Sequence, residues 1–213
     1  MEYFKITQET KYRNILRPVF PAISQIWGEE KPLLVYGNAE KQDKEISFLP
    51  FYHANILSGA FLISKKIGDI WKKYQQGGRY RPCVLGHVET RKLETYYFMY
   101  PRLLNVLHKD TVYLKDGEIE QICLCKDLVE IHKVFGIKGK HRTDIIIAGD
   151  VLEQMLREGI IGFQTVSVSV KEGTPWKKIC SGERGTQLPV RRAELADRAG
   201  KPSYRDQRQP GGE

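Results

Sequence analysis

Only two stretches of this 213-residue chain carry the apolar period of an α-helix. In the first, Ile67, Ile70, Trp71 and Tyr74 recur at i, i+3, i+4 and i+7, and Lys65, Lys66, Asp69, Lys72 and Lys73 fill the opposite face. Ser64 stands where a hydroxyl caps the free N–H groups of a first turn, and Gly77 and Gly78 end the helix. In the second, residues 150–158, the apolar side is Val151, Leu152, Met155 and Leu156. Asp150 and Glu153 have the spacing of a capping box, and Gly159 is the stop. The other apolar segments are short and bounded by Gly, Pro or polar runs. Residues 2–6, 32–37, 45–50, 79–89, 93–100, 111–125, 143–148 and, after Gly159, the alternating IIGFQTVSVSV each predict a strand. The KDG at Lys115 to Gly117 predicts a hairpin turn inside one of them. Runs of strands with two separated helices predict an α+β fold, a mostly antiparallel sheet with two or three helices, in a single domain over 1–172.

A segment of different composition follows. From Cys180 onward there are six arginines, one lysine and no isoleucine; before it there are eight arginines and nineteen lysines. Glycine and proline are scattered through it and large apolar side chains are few. It cannot bury enough surface to offset chain entropy, so 173–213 is expected to be a disordered basic tail. The net charge is +8, but residues 1–170 carry 24 basic and 20 acidic side chains and residues 171–213 carry 10 and 6. Half the excess therefore sits in the last fifth of the chain, which weakens a nucleic-acid reading of the body. No apolar run is long enough for a membrane helix, and no basic start precedes an apolar stretch. The expectation is a cytoplasmic protein with no membrane partner.

Chemistry-bearing patterns are sparse. Of Cys83, Cys123, Cys125 and Cys180, only Cys123 and Cys125 share a strand face, and no C-x-x-C occurs. Buried thiols are expected, with no metal and no cofactor. Gly-rich phosphate loops, H-E-x-x-H and G-x-S-x-G are absent. The histidines are His53, His87, His108, His132 and His141. Glu130 with His132, and His108 with Asp110, are two apart and would share a strand face as solvated pairs. No enzyme is therefore expected. One with an unfamiliar site would have to gather Glu130, His132 and His141 in one deep pocket. Lys138, Lys140, His141 and Arg142, after Gly136 and Gly139, are the densest basic cluster of the body. With the tail, this 138–142 loop defines an alternative, a nucleic-acid-binding module. Tyr96, Phe98 and Tyr100 put three rings on one strand face, as a base-stacking platform or as core and interface.

The string GAFLISKKIGDIWKKYQQGGRYRPCVLG, residues 59–86, has Phe61, Ile63, Ser64, Tyr80 and Pro82 at its marked positions. It resembles the signature of the eleventh immunity-protein family of bacterial polymorphic toxin systems. YLKDGEIEQICLCKD and HKVFGIKGKHRTDIIIAGDVLEQMLREGIIGFQTVSV are similar to the family too, so the resemblance covers 57–170. It implies a protein that binds a cognate toxin domain and neutralises it stoichiometrically. The motif is structural and brings no active site with it. Immunity proteins against basic nucleases tend to be acidic, whereas this body is mildly basic. The local acidic candidate for the partner surface is Asp116, Glu118 and Glu120, which an alternating strand would place on one face.

Overall fold

The computed structural model describes residues 1–12, 14–28, 33–39, 45–53, 60–75, 77–173 and 175. They belong to one unit, Met1–Lys178. The tail expected over 173–213 lies outside the described residues except for Gly173 and Pro175, and so does Cys180. In chain order the elements are β1 (Tyr3–Gln8), β2 (Arg17–Pro18), α1 (Ile23–Gly28), β3 (Leu33–Asn38), β4 (Phe51–Tyr52), β5 (Phe61–Ser64), α2 (Lys65–Tyr74), β6 (Arg79–His87), β7 (Leu93–Tyr100), β8 (Val112–Tyr113), β9 (Ile119–Gln121), β10 (Cys123–Cys125), α3 (Lys126–Val129), β11 (Val134–Lys138), β12 (Thr143–Ala148), α4 (Gly149–Arg157) and β13 (Phe163–Lys171).

A first sheet runs β10-β13-β1-β12-β11, antiparallel except between β10 and β13. Its outer strands are joined by one short segment. The Leu104 N–H donates to Gly136 O (3.0 Å) and the Gly136 N–H to Arg102 O (2.8 Å), on β11. Two residues on, the Cys125 N–H donates to Val106 O and the His108 N–H to Cys123 O, both at 2.8 Å, on β10. A stretch this short reaches both edges only because the sheet curls. A second sheet runs β2-β3-β6-β7-β5-β4, antiparallel except between β3 and β6. β8 and β9 form a separate hairpin.

The main core lies between the two sheets. Ile6, Ile145 and Ile147 cluster with Phe51, Phe61, Ile63 and Met99, with Ile67, Ile70 and Trp71 of α2 and with Val151 and Met155 of α4, while Tyr3, on the other face of β1, packs on Phe135. A second core covers the other face of the second sheet, where Val35, Cys83, Leu85, Tyr96 and Phe98 pack under Leu16, Ile26, Ile46 and Leu49. Burial on both faces is why FLIS of β5 reads as an unbroken apolar run.

The α+β class with antiparallel-rich sheets agrees with the expectation, and β7 and β12 have the expected bounds. Several details differ, the first being that the strands fall into two sheets and a separate hairpin where one sheet was expected. Four helices, rather than two or three, occur among the described residues, because α1 and the single turn of α3 were not legible. Residues 45–50 are no strand: Ser47 makes one bridge to Ile15, while Ile46 and Leu49 sink into the second core. Helix α4 has no capping box. It starts one residue early, after Ala148, and the Asp150 carboxylate is drawn instead to Lys133 Nζ at 2.6 Å. The Ser64 cap does form, accepting the Ile67 N–H at 3.4 Å.

Candidate partner-binding surface

Asp116, Glu118 and Glu120 do not form one exposed acidic face. Asp116 sits in the turn before β9, where its Oδ1 accepts the Glu118 N–H at 3.0 Å. Glu120 is exposed, but Glu118 is buried, with 7% of its surface accessible. The Glu118 carboxylate points at the turn between β11 and β12, accepting the His141 N–H at 2.7 Å on Oε2. Arg142 Nε stands 3.9 Å from Oε1, and Lys140 Nζ donates to the Asp116 carbonyl. A Cβ at position 139 would lie 2.1 Å from Glu118 Oε1, so the residue there is Gly139. The acidic candidate and the basic 138–142 cluster are thus two halves of one clasp. Arg142 also stands 3.5 Å from Asp144, which Lys5 Nζ approaches at 3.7 Å from the other side.

The histidine pairs do not assemble into a site. Glu130 is the C-cap of α3 and not part of a strand. His132 rests its ring on Phe135 (6.3 Å between centroids), while His141 follows the far end of β11. The five residues of β11 hold the two about 16 Å apart. His108 is buried and takes the Asp110 N–H on Nδ1 at 3.2 Å, while the Asp110 carboxylate is bonded to Lys171 at 2.8 Å. Cys83, Cys123 and Cys125 are free and buried, and burial pushes the Cys83 thiol up to about 12, so it stays protonated. No group of three or more His, Cys, Asp or Glu placed to hold a metal occurs among the described residues. Tyr96 and Phe98 belong to the second core and are closed to bases. No described helix is long and apolar enough to cross a membrane.

His53 does report on the fold. It lies between the Phe51 and Phe61 rings, 5.9 and 5.1 Å away. Burial holds its pKa below the usual 6.5, against the pull of Asp144 and with the push of Arg142 and Lys5. The unfolded chain then takes up the proton at higher pH than the folded one. Stability from this group is complete above about pH 6.5 and falls as pH drops below it. Urea midpoints measured at about pH 7.5 and 5.5 should show the drop, and His53→Gln should flatten it.

Among the described residues, no element covers part of the second sheet. Helix α2 packs on β5 and β7, and the same sheet face continues past it over β6 and β3. There the register sets Tyr36, Gly86 and Leu93 in one cross-strand row, and Leu34, Val84 and Thr95 in the next. Val19, whose N–H donates to Tyr36 O at 2.8 Å, extends the first row. Leu34 and Tyr36 are 47% and 48% exposed, Val19 and Leu93 61% and 62%. A Cβ on Gly86 would come within 2.7 Å of Leu93 Cδ2, so its absence lets Leu93 lean toward Tyr36. Apolar side chains this exposed and set side by side on neighbouring strands are the kind of surface that marks interaction sites. Toward α2 the patch is bordered by Tyr97, with Lys72 Nζ 3.4 Å above its ring and its hydroxyl on Asp69 at 3.2 Å. Asp69 is itself paired with Lys65. Sequence patterning missed this surface because both faces of LLVYG are apolar, as in a buried strand.

No family model matches the chain, and no curated protein matches it.

Proposed function

We propose that the chain neutralises a cognate toxin domain by occupying its surface, one to one and without turnover. The apolar half-face of Val19, Leu34, Tyr36 and Leu93 carries this reading. An apolar patch spread over neighbouring strands, with an exposed tyrosine in it, suits a protein surface better than a small molecule. Its border at Lys72, over the Tyr97 ring, on a body with a basic balance, suits a partner with acidic groups around an apolar centre. The resemblance over 57–170 supplies the biological setting, a toxin made by the same cell. The scattered histidines weigh against the enzymatic alternative, and the pairing of Arg142 with Glu118 and Asp144 weakens the part of the nucleic-acid alternative that rests on the 138–142 loop.

The test is co-expression with the toxin-like product of the neighbouring reading frame. Binding should bury about 1,200–2,000 Å² in total. The Tyr36→Ala/Leu93→Ala chain should fold normally but lose growth rescue, with affinity down at least about 100-fold. Rescue should persist when all five histidines are replaced in a folded protein. Rescue at strongly substoichiometric amounts, abolished by replacing His132 or His141, would sink the proposal and point to an enzyme.

A further inference from the structure

The first sheet has an open edge whose chemistry is set by the main chain. Glu2 O accepts the Gly149 N–H at 2.9 Å, so the main-chain groups of Glu2 face β12. Alternation along β1 turns those of Tyr3, Lys5 and Thr7 the other way, toward β13. The register pairs these three with Val168, Val166 and Gln164. The N–H and C=O groups of Phe163, Thr165 and Ser167 therefore point away from β1. On that side β10 pairs only with Ser169 to Lys171. The chain leading into β10 departs as β9 to pair with β8. Along 163–167 no strand among the described residues takes up the outward groups. Thr165 and Ser167 are exposed on one face of the strand and Val166, at 53%, on the other.

Natural edge strands are blunted by lysine, proline, a bulge or a covering segment. Here 163–170 contains no charge and no proline, and its register with β1 is unbroken. The opposite edge of the same sheet, β11, is covered by Arg102 and Leu104.

We propose that this edge pairs with the same edge of a second copy of the chain. An antiparallel two-fold pairing that stays clear of β10 sets Thr165 opposite Thr165 and Phe163 opposite Ser167. It forms about six main-chain hydrogen bonds. Neutral side chains meet across the axis, so no like charges oppose. The contact is isologous and uses up this edge on both copies, so assembly stops at two. A five-residue contact is small, and the dimer is correspondingly weak. The edge is on the other sheet from the half-face assigned to the toxin, so this inference stands or falls separately.

The experiment uses the full chain alone, with light scattering and amide-resolved hydrogen exchange from about 5 to about 500 µM. The mass should rise toward twice the monomer. The Thr165 and Ser167 amides should gain protection with concentration, while Val166 and Val168 stay protected throughout. Thr165→Pro removes an outward N–H at the axis and should leave a stable monomer at every concentration; Thr165→Val should still dimerise. Val166→Pro removes an N–H bonded to β1 and should lower stability. If Thr165→Pro fails to fold, Ser167→Lys serves in its place and should weaken dimerisation about tenfold or more. A wild type that stays monomeric at about 500 µM overturns the proposal. So does growth beyond two copies, or protection of Thr165 and Ser167 in the monomer, which would mean that the chain covers its own edge.

Discussion

Replacing Trp71 with Ala is expected to cost about 3–5 kcal/mol of stability, the largest loss from any single substitution considered for this protein. Trp71 is 0% exposed at the centre of the α2 stripe. Its indole Nε1 donates to Met155 Sδ at 3.3 Å, and its ring lies 6.4 Å from that of Phe51. One side chain thus ties α2 to α4 and to β4 at the edge of the second sheet. An alanine leaves a cavity that rigid strands on both sides cannot collapse, and it strips the methionine of its partner. Trp71→Phe keeps most of the volume and should cost about 1–2 kcal/mol. Urea unfolding followed by far-UV circular dichroism measures both. A Trp71→Ala chain within about 0.5 kcal/mol of wild type, yet unable to bind the toxin domain, would make Trp71 an interface anchor. Its burial argues against that outcome.

Trp71 was legible in the sequence because α2 is long enough to show a period and has a cap at its start. β7 and β12 were legible for a similar reason, as uninterrupted β-rich runs with polar ends. The elements that escaped are those too short for a period to exist. A four-residue turn such as α3 leaves no stripe, and α1 is six residues beside two prolines. Residues 45–50 misled in the other direction. Ile46 and Leu49 are buried three residues apart because the segment drapes over the second core, a placement that only the finished sheet creates. The site shows the same limit. Asp116, Glu118 and Glu120 share a period of two, but the turn occupies Leu114 to Gly117, so the strand period does not reach Asp116. What draws Glu118 inward is the 139–142 turn, more than twenty residues away in the chain. No local pattern contains that information. The exposed half-face around Tyr36 is hidden for the converse reason: an apolar strand residue looks buried unless one knows that α2 stops short of it.

The clasp around Glu118 separates structure from surface in a way that mutants can read. Glu118→Ala is expected to lower stability by about 2–3 kcal/mol. It removes the acceptor of the His141 N–H (2.7 Å), a second acceptor contact to the Ile119 N–H (3.2 Å), and the carboxylate facing Arg142. Two main-chain donors lose their partner, and an empty space opens beside Gly139. Arg142 is about half exposed, so its own loss is largely screened by water, and most of the cost falls on the buried Ile119 N–H and the part-buried His141 N–H. Asp116→Ala loses only the turn contact to the Glu118 N–H and should cost about 1 kcal/mol or less. Glu120→Ala, on the exposed side of β9, should fall within about 0.5 kcal/mol of wild type. Urea unfolding gives the three energies, and hydrogen exchange gives their location: in Glu118→Ala the His141 amide should exchange far faster while β1 and β12 keep their protection. If the three glutamate and aspartate variants were instead equally stable, and all three slowed capture of the toxin domain with a flatter salt dependence, the hairpin would be a steering surface. The buried placement of Glu118 would then not describe the protein in solution.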